Sequence, residues 1–122
     1  MVINSYDKIL FLDGNKIAEI KGLETLKSLR TSSLASNKIR KIEGLDELQN
    51  LGDLILPFNR ISRIEGLNNL TNLKDLGLGS NNISEVEGLR NLKRLESLDL
   101  YDNKIRERPN LSCLPKLRHF FF

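Results

Sequence analysis

The sequence predicts an α/β solenoid, in which short parallel strands form one sheet and short helical segments pack behind it. The first observation is that five asparagines recur every 22 residues, at Asn15, Asn37, Asn59, Asn81 and Asn103. The second is that the same apolar positions surround each of them. A leucine stands three residues before each asparagine and an isoleucine two residues after it, and further leucines follow at eight, eleven and fourteen residues. Such a period is the signature of a repeat architecture.

Each half of the repeat predicts its own element. Leu98-Asp99-Leu100 alternates with a period of two, as expected for a strand with one buried face. Leu67, Leu70 and Leu73 recur every third residue, which suits a 3₁₀ or short helical segment. One repeat cannot bury these leucines alone, so the repeats must stack. We expect one domain over residues 1–122, with five repeats and a partial sixth at 117–122.

The five phased asparagines are predicted to form a structural ladder. Each stands at an inward-facing turn, where an unpaired amide would be costly. Its side chain offers both donors and an acceptor, so it can bond to backbone groups of its own turn and of a neighbouring one. We therefore expect these side chains to connect successive coils.

Composition narrows the class of protein. The chain has 122 residues, 39% hydrophobic and 29% charged, with a formal net charge of +3. A single cysteine, Cys113, and a single histidine, His119, exclude an intramolecular disulfide and a Cys/His metal cluster, so no metal or cofactor is expected. The first residues show no secretory pattern, and no apolar run would span a membrane. These features predict a cytoplasmic or nuclear protein.

The repeat is identified as a leucine-rich repeat, and one segment narrows the resemblance. Ile42-Glu43-Gly44-Leu45 recurs as Ile64-Glu65-Gly66-Leu67 and Val86-Glu87-Gly88-Leu89. This 22-residue type resembles the repeats of the regulatory subunit 7 family of protein phosphatase 1, and similar repeats occur in outer-arm dynein light chain 1 and the spliceosomal A-prime protein. Internalins also use 22 residues but commonly place proline where this glycine stands. The resemblance implies a right-handed solenoid that binds a protein on its concave face, without catalysis.

Two departures from the pattern predict local irregularities. Ser32 stands where the other repeats place a core leucine, so it removes buried carbons and adds a hydroxyl that needs a partner, which predicts a local defect. In the fifth repeat Arg108-Pro109-Asn110 replaces the Ile-Glu-Gly segment, which predicts a changed outer segment.

The outward strand positions form three columns on the predicted concave face, and none of them is lysine or arginine. Aspartates and aromatic residues favour a protein partner, and the acidic character argues against nucleic acid. A second interpretation is that the aspartates only keep the sheet solvated. Phe58 has its own alternative, an inner spine position. The candidate partner-binding residues are Phe11, Asp13, Asp53, Ile55, Phe58, Asp75, Asp99, Tyr101, His119 and Phe121.

Other surfaces are predicted to have different roles. Basic residues follow the asparagines along one edge, at Lys16, Lys38, Arg60 and Lys104, and are interpreted mainly as a solvated edge. Neither end shows a polar cap: Val2, Ile3 and Tyr6 are expected to cover the first coil, and Phe120 and Phe122 to face the core of the last. Exposed ends predict self-association or attachment to a partner.

The sequence thus predicts a noncatalytic protein-interaction module, with regulation of a phosphatase as the role that the resemblance implies. The alternative is a structural or assembly component that uses its convex side or its ends. Paired carboxylates at Asp53 and Asp75 are the nearest approach to acid–base chemistry, but an open sheet offers them no desolvated pocket.

Overall fold

One parallel sheet of six short strands organises the protein. The computed structural model describes residues 4–122. The strands are β1 (Ile9–Phe11), β2 (Thr31–Ser33), β3 (Asp53–Ile55), β4 (Asp75–Gly77), β5 (Ser97–Asp99) and β6 (His119–Phe121). They lie side by side in chain order, and each pairs with the next in parallel. The predicted fold class, a solenoid with a parallel sheet, is confirmed. We number each coil by its strand.

The core lies between the sheet and the outer half of each coil. The central strand residue points inward, and Leu54, Leu76 and Leu98 pair in register across β3, β4 and β5 without exposed surface. The leucines of the outer half, such as Leu70 and Leu73, are equally buried. Burial of a leucine contributes about 1.5–3 kcal/mol, so stacking of coils supplies most of the stability.

The outer half of each coil consists of turns. In coil 3 the amide of Leu70 donates to the carbonyl of Leu67, and Leu73 to Leu70, each at 3.0 Å. These bonds span three residues, as in a 3₁₀ helix, but they begin three residues apart and so never form a continuous ladder. Within residues 4–122 the expected short helices are therefore replaced by paired turns.

Asparagine side chains in this outer half form hydrogen bonds to backbone carbonyls of the preceding coil. Asn50 Nδ2 donates to the carbonyl of Lys27 at 2.9 Å, and Asn72 Nδ2 to that of Gln49 at 2.7 Å. Each bond connects one coil to the coil before it. Carbonyls that a helix would pair internally are thus paired between coils.

The two ends differ from the expectation of inward-facing caps. Tyr6 is exposed, while Val2 and Ile3 lie outside the described residues. Phe120 is half-buried, but Phe122 is 47% exposed and stacks on Phe120 with ring centroids 5.1 Å apart. The prediction that Phe122 faces the core is wrong, because β6 is an edge strand and packs against coil 5 alone.

Candidate interaction surface

The phased asparagines form hydrogen bonds with backbone groups that follow the strands, both in their own coil and in the preceding one. Asn59 Nδ2 donates to the carbonyl of Leu56 at 3.1 Å and to that of Leu34, on the preceding coil, at 2.9 Å. Its Oδ1 accepts from the amide of Ile39 at 3.0 Å. The same three kinds of bond are made by Asn37, Asn81 and Asn103. Asn15, on the first coil, is exposed and bonds only to carbonyls of its own turn.

The residue before each asparagine adopts a left-handed backbone conformation. This position is held by Gly14, Ser36, Phe58, Ser80 and Asp102, with φ between 52° and 69°. In the first four coils its amide donates to the next coil; the amide of Phe58, for example, donates to the carbonyl of Gly79 at 3.0 Å. Left-handed geometry is common for glycine and small polar residues but exceptional for a bulky one. Phe58 therefore differs from its four counterparts.

Phe58 lies outside the core. It is 62% exposed, so the alternative of an inner spine position does not hold. The left-handed turn that carries it was not predicted from the sequence. The signal was present, since the other four residues at this phase are glycine or short polar residues that favour turns.

Three columns of side chains cover the face of the sheet that points away from the core, which we call the concave face. The first is Ile9, Thr31, Asp53, Asp75, Ser97 and His119; the second Phe11, Ser33, Ile55, Gly77, Asp99 and Phe121; the third Asp13, Ala35, Pro57, Gly79 and Tyr101. Strand pairing places Asp53 beside Asp75, and Gly77 between Ile55 and Asp99. The residues at the two ends of the face are exposed, those in the middle are partly buried, and Ser33 and Gly79 are buried.

The structure brings only some of the predicted residues together. Asp53, Ile55, Asp75 and Asp99 lie on three adjacent strands, β3 to β5. By contrast, Phe11 and Asp13 belong to coil 1, and His119 and Phe121 to β6 at the opposite end. Five strand spacings of about 4.8 Å separate these ends by about 24 Å. A small ligand would meet one group, whereas a protein could cover both.

Most aspartates of the concave face already accept hydrogen bonds. Asp13 Oδ1 accepts from the hydroxyl of Ser33 at 2.6 Å, and Asp53 Oδ2 from that of Thr31 at 2.9 Å. Asp99 Oδ1 accepts from the amide of Tyr101 at 2.9 Å. Within the described part of the chain, Asp75 accepts no hydrogen bond and makes no ion pair. Among the four aspartates of this face, Asp75 is thus the one whose carboxylate has no partner within residues 4–122.

The charge of the protein is distributed unevenly. The three columns carry four aspartates and no lysine or arginine, although the chain as a whole has a formal net charge of +3. The salt bridges found among residues 4–122, such as that between Arg63 and Glu87, join residues outside the columns. The concave face is therefore an acidic surface on a basic protein.

A cleft lies elsewhere in the described structure. It has a volume of about 820 Å³ and is bordered by residues 84–86 and 104–110 of coils 4 and 5. The turn glycine of earlier coils, such as Gly88, has a positive φ, whereas Asn110 in coil 5 is not among the residues with positive φ. The predicted change at Arg108-Pro109-Asn110 thus coincides with an opening between coils. Residues 4–122 contain no cluster of three side chains that would bind a metal.

Sequence and structure comparisons identify the family. A sequence profile described as leucine-rich repeat matches residues 2–121, nearly the whole chain. The chain belongs to the leucine-rich repeat family. Solenoids of this family are typically noncatalytic scaffolds for protein interactions. No curated protein sequence matches the chain significantly.

Solved structures give further relatives of this leucine-rich repeat chain. Internalin C2 of Listeria monocytogenes is 30% identical with a TM-score of 0.79, and the match covers 88% of this chain and 48% of that one. A chain of the Drosophila melanogaster SNF/U2A′ complex is 33% identical with a TM-score of 0.78, and the match covers 90% and 70%. A leucine-rich repeat protein of Leptospira interrogans is 26% identical with a TM-score of 0.77, and the match covers 85% and 28%.

These likenesses establish the fold and the family. The chain spans about half the length of the internalin that it matches. Because the internalin and the U2A′ complex are matched about equally well, the predicted intracellular branch and the phosphatase resemblance stay predictions. Among residues 4–122 no helix has the length and apolar character needed to cross a membrane.

Proposed function

We propose that this chain is a noncatalytic interaction module that binds a protein partner on its concave face. The observation that carries the proposal is the sheet itself. Six strands present three columns of side chains with four aspartates and no lysine or arginine. Exposed apolar side chains, among them Phe11, Tyr101 and Phe121, border this face at both ends.

The construction of the solenoid supports a binding role. Buried asparagine bonds connect successive coils, so the side chains on the face are held by a rigid backbone. Preorganised side chains lose less conformational entropy when a partner binds. Binding residues commonly lie on surfaces that a rigid scaffold positions.

The finer proposal is a regulatory subunit of a phosphatase in the cytoplasm or nucleus. Its support is the resemblance of the Ile-x-Gly-Leu segments to the regulators of protein phosphatase 1. Recovery of a phosphatase catalytic subunit with the tagged chain is the expected result. Cell fractionation tests the location, and recovery of the chain only outside the cell would contradict it.

A second candidate function is that of an assembly component that uses its convex side or ends. The likeness to a chain of the SNF/U2A′ complex favours it, because the match covers 70% of that chain. Self-association through the exposed apolar ends belongs to this candidate. Sedimentation velocity at rising concentration tests it, and a single monomeric species throughout would contradict it.

A pair of charge-reversing variants separates the two candidates. Asp53→Lys with Asp75→Lys changes the concave face, and Glu43→Lys with Glu65→Lys makes the same change of charge on the outer edge. Each is used as bait for affinity capture from a lysate of the source cells, beside the unaltered chain. We expect the concave variant to lose partners that the edge variant retains. The opposite pattern would contradict the concave face and favour assembly through the outer side.

A further inference from the structure

Phe58 is an aromatic residue in a strained position that does not serve the core. Its φ of 56° lies in the left-handed region, and its side chain is 62% exposed. The same turn carries a serine in coils 2 and 4, at Ser36 and Ser80. A bulky residue in this conformation destabilises the folded state, and a largely exposed ring contributes little hydrophobic stabilisation to offset that cost. Strain of this kind at a surface points to a role in binding.

Tyr101 lies two coils further along the same edge. It is 67% exposed and ends the third column on coil 5. Coil 4 lies between the two aromatic residues, since Phe58 donates to the carbonyl of Gly79 at 3.0 Å and Ser80 donates to that of Tyr101 at 2.7 Å. Two coil spacings of about 4.8 Å place the backbones of Phe58 and Tyr101 about 10 Å apart. That distance leaves room for a side chain between them.

The strand between them has no side chains on its outer surface at two successive outward positions. A Cβ on Gly77 would lie 3.7 Å from the side chain of Ile55, and one on Gly79 would lie 3.4 Å from the carbonyl of Tyr101 and 3.5 Å from Asp99 Oδ2. At these two positions β4 and its exit carry no side chain between Ile55 and Asp99; Gly77 is partly exposed, whereas Gly79 is buried by its neighbours. We call this gap between the side chains of neighbouring strands the β4 slot.

The electrostatics of the β4 slot favour a cation. Asp75 begins β4 and pairs in register with Asp53, and its carboxylate has no hydrogen-bond or ion-pair partner within residues 4–122. The carboxylate of Asp99 borders the floor. A guanidinium group donates paired hydrogen bonds to carboxylates and stacks on aromatic faces. The slot therefore presents both kinds of group that an arginine side chain binds.

We propose that the β4 slot receives an arginine side chain from a segment of the partner protein. This inference rests on the proposed function and names the chemistry of its partner. Charge complementarity decides the occupant, because the concave columns have four aspartates and no lysine or arginine of their own. The apolar stem of the arginine passes between Phe58 and Tyr101 and lies over Gly77, while its head meets Asp75 at the start of β4.

The direct test uses a short synthetic peptide of arginine, leucine and glycine, with a second peptide that has glutamate in place of arginine. The peptides are titrated into ¹⁵N-labelled protein. We expect the arginine peptide to shift the amides of Gly77, Gly79 and Tyr101, and the glutamate peptide to leave them unchanged. Shifts confined to the outer turns, or equal shifts with both peptides, would overturn the proposal.

Two variants measure the contributions of charge and ring. Asp75→Asn is expected to weaken binding of the arginine peptide roughly tenfold, since it removes a charge-assisted bond. Asp46→Asn makes the same change of charge on an exposed outer turn and is expected to alter affinity by less than about twofold. Equal effects of the two substitutions would overturn the proposal, because they would report net charge alone.

Phe58→Gly separates a binding role from a structural one. We expect the urea midpoint of this variant to equal or exceed that of the unaltered chain, because glycine adopts the left-handed turn readily. Its affinity for the peptide is expected to fall severalfold. A lower midpoint with unchanged affinity would overturn the proposal. Phe58→Ser, which copies Ser36 and Ser80, repeats the measurement with a residue that this turn already accepts.

The same variants distinguish failure of the slot from failure of the proposed function. In affinity capture, Phe58→Gly and Asp75→Asn are expected to weaken the partner that Asp53→Lys with Asp75→Lys abolishes. A partner that depends on the double charge reversal but not on Phe58 would overturn the slot and leave the concave face as the binding surface. A partner indifferent to all of them would overturn both proposals.

Discussion

Asn59 Nδ2 lies 2.9 Å from the carbonyl oxygen of Leu34, on the coil before its own. The same nitrogen is 3.1 Å from the carbonyl of Leu56, and Oδ1 accepts from the amide of Ile39. One buried amide thus pairs backbone groups of two coils. These groups have no access to water that could replace it, which makes the ladder a test of how the coils are held together.

Replacing Asn59 by alanine is expected to lower the free energy of unfolding by about 3 kcal/mol, because a buried group left unpaired costs about 1–3 kcal/mol. Urea denaturation measures the change. Asn15→Ala is the matched control, since Asn15 has the same phase but is exposed and bonds only within its own turn. We expect it to cost less than about 1 kcal/mol. Equal losses would show that the bonds between coils contribute nothing.

Two adjacent serines on β2 are expected to respond to alanine with opposite signs. Ser32 is fully buried and its Oγ has no hydrogen-bond partner. Ser32→Ala is therefore expected to raise the free energy of unfolding by about 1 kcal/mol, since it removes an unpaired buried hydroxyl. Ser33 Oγ donates to Asp13 Oδ1 at 2.6 Å, so Ser33→Ala is expected to lower it by about 1–2 kcal/mol.

Thermal and urea unfolding of both variants check the serine prediction. A third variant, Ser32→Leu, restores the residue that neighbouring strands have at Leu10 and Leu54. A gain larger than that of alanine would show that space for a leucine exists between them. Destabilisation by Ser32→Ala would contradict the account of an unpaired hydroxyl.

Much of the backbone was predictable because each repeat buries apolar side chains at the same positions. The leucines flanking Asp99 indicated a strand with one buried face, and the spacing of the asparagines indicated which residues would pair between coils. Ser32 was predictable as a defect for the same reason, since its phase requires an apolar side chain. The unpaired hydroxyl confirms that prediction.

The predictions that were wrong concern features that depend on contacts rather than on the position of a residue within the repeat. Phe122 has the phase of a core residue but packs against one coil only, so it stays half-exposed. The third-residue leucines fit a 3₁₀ helix as well as paired turns, and bonds from Asn50 and Asn72 to the preceding coil accompany the turns. The periodicity of the sequence alone does not predict these contacts.

The candidate surface was predictable in outline only. Period-two alternation placed ten residues on or beside the concave face, and their role in binding stays a prediction. Gly77 and Gly79 belong to the predicted columns, but glycine has no side chain that would mark it as a candidate for binding. The β4 slot follows only from the structure, which places Phe58 and Tyr101 on the coils on either side of coil 4.

The exposed ion pair between Arg63 and Glu87 is expected to contribute little. Arg63 Nη2 lies 3.2 Å from Glu87 Oε1, and both side chains are largely exposed. Glu87→Gln is therefore expected to change the free energy of unfolding by less than about 1 kcal/mol, since solvent screens such pairs. Urea denaturation at low and high salt checks this. A larger loss that vanishes in salt would contradict the interpretation of this edge as a solvated one.

Gly66 is expected to be difficult to replace for reasons beyond its backbone angle. Its φ is +71°, and a Cβ built there would collide with the backbone carbonyl of Ile42 on the preceding coil. Gly14 has a similar φ of +69° but open space around the same atom. Alanine at Gly14 is expected to cost about 1 kcal/mol, the penalty of left-handed geometry, whereas alanine at Gly66 adds overpacking of about 1–3 kcal/mol. Urea denaturation of both variants measures the two losses in free energy of unfolding, and their difference gives the cost of the contact with the carbonyl of Ile42. Equal losses would mean that the coils can separate there without cost.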